Sequence, residues 1–258
     1  MSGPAGVTAL VLAETVAGGL LLLFVTPLWS EVKRGFFTLT GSILTVLSLA
    51  TWGAAASGRV PGNEAGTWSV RLALALALVN TAWVGLMFVK RHRPAHAIGI
   101  ASVPVSIALL VAMAGTAEGS WTVALVQLLA GAAFLGAVID GLLLGHWYLT
   151  DRGLTREPIN RFTNFLLAGV ILEGAALILG GFEPTEASSQ FNPLLTSAGL
   201  ASWIGLGMVA ATALIAVMIR LTLKGERSSA VQAATGFFYL AVITALTAEF
   251  AAKVRFLP

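Results

Sequence analysis

Residues 136–161 read GAVIDGLLLGHWYLTDRGLTREPINR, and this stretch decides the fold of the chain. It begins in an apolar segment that carries the carboxylate of Asp140, where only hydrocarbon is expected. Gly141 and Gly145 have the small-xxx-small spacing that lets two membrane helices approach closely. The following His-Trp-Tyr at 146–148 is typical of a lipid–water boundary. The stretch therefore predicts a helix that crosses a bilayer and ends at its surface.

Composition extends this interpretation to the whole chain. Of the 258 residues, 57% are hydrophobic and 10% are charged, and the mean hydropathy is +0.88. A soluble domain averages about 25% charged residues. The pI of 9.7 reflects a net charge of only +3, so we expect no nucleic-acid partner. The absence of cysteine excludes disulfides and thiolate-ligated clusters within this chain.

Eight segments are long and apolar enough to span a bilayer, which needs about 20 residues per helix. They are residues 6–29, 36–56, 68–89, 96–114, 121–149, 158–179, 193–223 and 230–252. Because the connections are too short for a soluble domain, we expect a single all-α transmembrane domain over 1–258. The first segment lacks the basic start of a signal peptide, so we expect it to be retained as a helix.

The uneven distribution of basic residues predicts the orientation. Eleven of the 15 Lys and Arg residues follow the first, third, fifth and seventh spans. The other loops carry Glu118, Glu183 and Glu186 instead. Since basic loops stay in the cytoplasm, we expect a multi-pass protein of the cell inner (plasma) membrane with both termini outside.

A weak internal repeat suggests two four-helix halves, residues 1–115 and 121–258. The sequence GGLLLLFVT at 18–26 is similar to DGLLLGHWYLT at 140–150. With an even number of helices in each half, such a repeat would be parallel. A chance match between leucine-rich segments is the alternative.

Ionisable residues inside the spans are the candidate functional residues, because a charge in hydrocarbon is costly and needs a partner. The outer half of the predicted bundle contains Glu14, Arg71, Glu173 and Glu249, with Lys253 at its boundary. Glu249 and Lys253 are four residues apart and can pair on one helix face. Arg71 is the expected partner of Glu14 or Glu173. We interpret the group as a quinone headgroup pocket or proton path, or as ion pairs that tie helices together.

The inner half contains Asp140, His146 and His96. Asp140 is expected either to pair with an arginine or to stay protonated through burial, which makes it a proton-relay candidate. The two histidines are predicted at the same membrane level, so a haem b or a pigment held between them is an alternative. Each histidine alone is equally consistent with a hydrogen bond at the membrane boundary.

The last span ends AEFAAKVRFL, in which Glu249, Lys253 and Phe256 are spaced E-x3-K-x2-F. This ending resembles the E-x3-R-x2-F ending of the DMSO-reductase membrane-anchor family, which is related to the NrfD-type membrane subunits of bacterial respiratory oxidoreductases. The first span, LVLAETVAGGLLLLF at 10–24, resembles the opening helix of that family. The resemblance implies eight helices, outside termini and a quinone-interacting anchor for redox subunits. Lys253 replaces the usual arginine, and the quinone-associated histidine of the family has no counterpart that we can place.

These observations lead to three functional hypotheses. The first is a non-catalytic anchor subunit that interacts with the bilayer, with redox subunits and with a quinone or quinol. The second is a small transporter or proton-conducting protein, and the third is a haem- or pigment-binding subunit. No phosphate loop, metal motif or catalytic triad is recognisable, so we assign no catalytic residue, no metal site and no covalently bound cofactor.

Overall fold

The computed structural model describes residues 1–117, 119–151, 153–181, 200–225 and 229–254. Every element of regular structure in these ranges is an α-helix. In chain order they are α1 (Gly3–Val25), α2 (Leu28–Glu31), α3 (Arg34–Ser57), α4 (Glu64–Phe88), α5 (His92–Ala114), α6 (Trp121–Thr150), α7 (Glu157–Leu179), α8 (Leu200–Leu223) and α9 (Ala230–Val254). All but the single turn α2 are long and apolar enough to cross a membrane. The predicted all-α bundle with eight spans is therefore confirmed for the described part of the chain.

Local chemistry accounts for the helix ends that differ from the predicted ones. The helix α1 stops at Val25 because Thr26 precedes Pro27, and a residue before proline disfavours helical backbone; Thr26 is extended, with φ −86° and ψ 158°. The helix α4 begins a turn earlier than predicted. There the Asn63 side chain accepts a hydrogen bond from the Gly66 N–H at 2.8 Å and acts as its N-cap.

Two further boundaries concern predicted features. The helix α5 begins at His92, one turn before residue 96, where the fourth span was predicted to begin. Residues 193–199, predicted as the start of the seventh span, lie outside the described residues.

The spans form two rings of four helices with the same order of contacts. In the first ring α1 packs on α3, α3 on α4, α4 on α5, and α5 on α1. In the second ring α6 packs on α7, α7 on α8, α8 on α9, and α9 on α6. The order is consistent with the two halves expected from the internal repeat, although the repeat itself stays a prediction.

The two rings meet mainly through α1 and α6, which are the most buried spans. At their crossing, a Cβ atom on Gly18 would overlap the backbone carbonyl of Ala132, and one on Gly136 would overlap the backbone of Gly18. Small residues here bring the two backbones into direct contact. This contact places polar groups of α1 beside those of α6 and α9.

Gly141 and Gly145, predicted to allow close helix approach, lie against α9. A Cβ atom on Gly141 would overlap the Phe238 ring, and one on Gly145 would press on the Thr235 side chain. The close approach is confirmed, although the tightest backbone contact occurs at Gly18.

The start of α1 and the end of α9 lie at the same end of the bundle. There Pro4 and Val7 face Ala251 and Val254 across one groove. At the opposite end, Arg161 forms a two-pronged ion pair with Glu31, with N···O distances of 2.8 and 2.9 Å. Lys33 and Asp151 lie 3.1 Å apart at that same end. The basic loops after the first and fifth spans therefore gather together, as predicted, and the cytoplasmic location of this end stays a prediction.

Candidate functional site: a buried ionic cluster

Four ionisable side chains meet inside the bundle between the two rings. Lys253 Nζ lies 2.8 Å from Glu14 Oε1 and 3.0 Å from Glu249 Oε2. Glu173 extends the group from α7, with its carboxyl beside that of Glu249. We call Glu14, Glu173, Glu249 and Lys253 the ionic cluster. None of its side chains is more than 1% exposed.

The local sequence explains why each group points inward. Glu14 lies in the middle of α1, which is largely buried by the neighbouring helices. Glu173 lies on the buried face of α7. Glu249 and Lys253 share one face of α9 because they are four residues apart. Their predicted pairing is confirmed by the 3.0 Å contact.

Most of the hydrogen-bonding capacity of the glutamates is unused. Apart from the contacts of Glu14 Oε1 and Glu249 Oε2 with Lys253 Nζ, the carboxyl oxygens of Glu14, Glu173 and Glu249 have no hydrogen-bond partner among the described residues. Two adjacent carboxyls, such as those of Glu173 and Glu249, can hydrogen-bond to each other only if one carries a proton. The cluster is therefore held by ionic contacts, and its carboxyl oxygens have free acceptor sites that can bind protons.

Gly131 makes space for the cluster, a role that the sequence did not predict. A Cβ atom at this position of α6 would lie 2.6 Å from Glu14 Oε1 and 3.0 Å from Glu249 Oε2. The α6 backbone thus forms one wall of the site. A lone glycine in an apolar helix carries no sequence signal for this role, since its value depends on which neighbour it faces.

The predicted role of Arg71 as partner of the buried glutamates is wrong. Its side chain is exposed, and its guanidinium lies over the Trp68 ring, 5.3 Å from the centroid. Lys253 supplies the cation that we expected from Arg71, because α1 and α9 pack together and α4 lies in the far part of the first ring. Phe256, the last residue of the E-x3-K-x2-F ending, lies outside the described residues.

The environment of Lys253 also differs from the expectation. We expected this side chain at a partly wet boundary, but it is 1% exposed and deep enough to contact α1. The reason is the close packing of α9 against α1 and α6, which excludes solvent from a site only one residue before the end of α9.

Asp140 is a second, separate buried carboxylate. It is 0% exposed, and neither of its oxygens has a hydrogen-bond partner among the described residues. A Cβ atom on Gly19 of α1 would lie 3.5 Å from Asp140 Oδ1. Asp140 is nine residues from Gly131 along α6, or about 13 Å of helix rise. The structure thus does not bring it into the ionic cluster, and the expected pairing with an arginine is not seen in the described residues.

The two candidate haem ligands contact different aromatic side chains. His96 stacks on Trp29, with ring centroids 4.3 Å apart. His146 is exposed and its Nδ1 lies 3.2 Å from the Tyr239 hydroxyl oxygen. Within the described residues no contact joins the two imidazoles, so their placement gives the haem or pigment hypothesis no support.

Two apolar grooves flank the ionic cluster on the surface of the bundle. The first, of about 410 Å³, lies between α1, α8 and α9 and includes Thr8, Ile204, Thr247 and Phe250. The second, of about 500 Å³, lies between α6 and α7 and is bounded by residues such as Leu172. The first groove and the ionic cluster use neighbouring faces of the same end of α9.

Fold and site together define a polytopic helical membrane protein with a sealed acidic cluster in its interior. Within the described ranges no group of three or more His, Cys, Asp and Glu side chains is arranged to hold a metal ion. Comparison of the chain with protein-family models, curated protein sequences and solved structures returned no match in any of the three. The function must therefore be argued from the site.

Proposed function

We propose that this chain is the quinol-binding, non-catalytic membrane subunit of a bacterial electron-transfer complex, with redox centres supplied by partner subunits. The observation that carries the proposal is the arrangement of α9. One face bears the groove residues Leu246, Phe250 and Val254, and a neighbouring face bears Glu249 and Lys253 of the ionic cluster. A quinol in the groove would lie within one helix width, about 10 Å, of buried carboxyls.

The chemistry of the groove suits a quinol. Its volume of about 410 Å³ falls within the range of roughly 300–1,000 Å³ for small-molecule sites, and its walls are mostly apolar, as an isoprenoid tail requires. The Thr8 hydroxyl donates to the Pro4 carbonyl and the Thr247 hydroxyl donates to the Ile243 carbonyl, both at 2.8 Å. Both hydroxyl oxygens therefore remain acceptors, which matches the hydroxyl donors of a quinol better than the carbonyls of a quinone.

Quinol oxidation releases two protons together with two electrons. In this proposal the electrons pass to an iron–sulfur or haem centre of a partner subunit, and the two protons pass one at a time through the carboxyls of the ionic cluster. The resemblance of the E-x3-K-x2-F ending to the DMSO-reductase membrane anchors supports this role. The connections between spans other than residues 180–199 are short, which supports the assignment of the redox centres to partners.

A photoreactive quinol analogue tests the binding site in the purified full-length protein. We expect labelling of α1, α8 or α9 at the first groove. Thr247→Trp should fill this groove and abolish labelling, whereas Ile243→Trp, one turn away on the exposed surface of α9, should leave it unchanged. Labelling at the second groove instead, or labelling unaffected by Thr247→Trp, would overturn the assignment.

Mild detergent purification of the native protein tests the partner subunits. We expect redox proteins to co-purify and to account for any haem or iron–sulfur absorbance, as identified by subunit mass spectrometry. A colourless protein that is stable and fully active by itself would remove the support for an anchor role.

A proton-conducting or transport function is the second candidate, and Asp140 favours it. An isolated carboxylate without a partner is costly in a membrane and commonly marks an ion or proton pathway. Proton flux into proteoliposomes that is lost in Asp140→Asn but retained in Thr247→Trp would favour this function over quinol binding.

A further inference from the structure

We propose that the ionic cluster is a two-proton site, in which the three carboxyls of Glu14, Glu173 and Glu249 together hold two protons beside the Lys253 ammonium. This proposal concerns protons alone, so it does not depend on the binding of a quinol.

Charge balance is the first argument. With all groups ionised, the cluster would carry three negative charges and one positive charge in a site at most 1% exposed. An uncompensated buried charge is far more costly than a proton bound to the same group. Two bound protons make the cluster neutral.

The surrounding helices supply no further charge among the described residues. The cluster receives Glu14 from α1, Glu173 from α7, and Glu249 and Lys253 from α9. At this level α6 contributes Gly131, which carries no charge. The helix α8, which packs on α7 and α9, has Arg220 as its one ionisable residue, and Arg220 donates to Asn164 near the opposite end of the bundle.

Geometry is the second argument. The carboxyls of Glu173 and Glu249 are close enough to interact electrostatically, and two neighbouring like charges disfavour each other's ionised form in a dry site. Lys253 Nζ contacts Glu14 and Glu249 at similar distances, 2.8 and 3.0 Å, so the single negative charge can lie on either side of it. The protons therefore belong to the three carboxyls as a set and not to fixed residues.

This arrangement has a functional consequence. The neutral cluster of three carboxyls and one ammonium can pass a proton on without leaving a net charge in hydrocarbon, provided that each proton taken up is matched by one released. The site would act as an intramembrane proton relay at the junction of the two helix rings.

Infrared spectroscopy of the purified full-length protein counts the bound protons, because the C=O stretch of a protonated carboxyl is separate from that of a carboxylate. Asp140→Asn serves as the background, since it removes the one buried carboxyl outside the cluster among the described residues. In this background we expect an acid band that shifts in heavy water. Glu14→Gln, Glu173→Gln and Glu249→Gln should each reduce this band by about half, because neutrality then requires one proton fewer.

Lys253→Met gives the opposite expectation and makes the test specific. Removing the only described cation of the cluster should increase the acid band by about half, as the third carboxyl binds a proton. If this variant does not fold, the pair Glu173→Gln and Glu249→Gln combined should abolish the band. An acid band that is absent from the background protein, or that is unchanged by Glu173→Gln, would overturn the two-proton site.

Discussion

Lys253 Nζ lies 2.8 Å from Glu14 Oε1, and this contact joins the last span to the first. The two residues belong to different helix rings, so the ion pair ties the rings together inside the bundle. Because both side chains are at most 1% exposed, an ionised Glu14 carboxyl depends on Lys253 for its charge compensation.

Lys253→Met should strongly destabilise the protein. Breaking a buried ion pair leaves a buried carboxylate without its cation, which costs about 3–5 kcal/mol if no proton replaces it and less if one does. The thermal unfolding temperature in detergent is the measurement. Lys224→Met, at an exposed position of the basic end, is the matched control and should have little effect. The double variant with Glu14→Gln should be more stable than Lys253→Met alone, since the cluster is then neutral with two bound protons and needs no third, and equal or lower stability would contradict the pairing.

Gly131→Ala should destabilise the protein through the same cluster. The added Cβ atom would lie 2.6 Å from Glu14 Oε1, so the carboxyl must move away from Lys253, at a cost of about 1–3 kcal/mol. Gly207→Ala on α8 is the control, because a Cβ atom there meets nothing within 4 Å. Equal unfolding temperatures for the two variants would show that α6 does not form a wall of the site.

Gly18→Ala should be more damaging than Gly141→Ala. At Gly18 the new atom would overlap the backbone carbonyl of Ala132, which can move only if α1 and α6 separate. At Gly141 it would overlap the Phe238 ring, which is a side chain and can rotate. The yield of folded protein and the unfolding temperature measure the damage caused by each variant. Gly85→Ala is the control, because a Cβ atom there meets nothing within 4 Å. The reverse ranking would place the tightest packing elsewhere.

Arg161→Gln should have a small effect that depends on salt. Its pair with Glu31 is two-pronged but about a quarter exposed, and exposed pairs contribute about 0–1 kcal/mol. Salt should screen this ion pair and weaken its contribution to the stability of the parent protein. The difference in unfolding temperature between parent and variant should therefore become smaller at high salt. The effect of Lys253→Met, by contrast, should persist at high salt because the ionic cluster is sealed from solvent.

Much of the local structure could be predicted from particular residues. Helix length and apolarity fixed the existence of the spans, because a bilayer imposes the same length on each helix. The spacing of Glu249 and Lys253 fixed their pairing, since residues four apart share a helix face. An amide in hydrocarbon needs a partner on a neighbouring helix, and the Asn80 side chain of α4 donates to Ser48 Oγ of α3 at 2.7 Å.

The choice of partners between helices could not be predicted in the same way. Glu14 faces Lys253 and not Arg71, and Gly131 faces Glu14, because α1, α6 and α9 pack with particular rotations. Helix periodicity gives the direction in which a side chain points from its own helix. It does not tell which other helix packs against that face. The sequence alone thus determined an eight-span membrane bundle with several ionisable residues inside its spans, each of which needs a partner or a proton. Only the tertiary packing decided that three carboxyls and one ammonium share a single dry site, since that depends on contacts between distant parts of the chain.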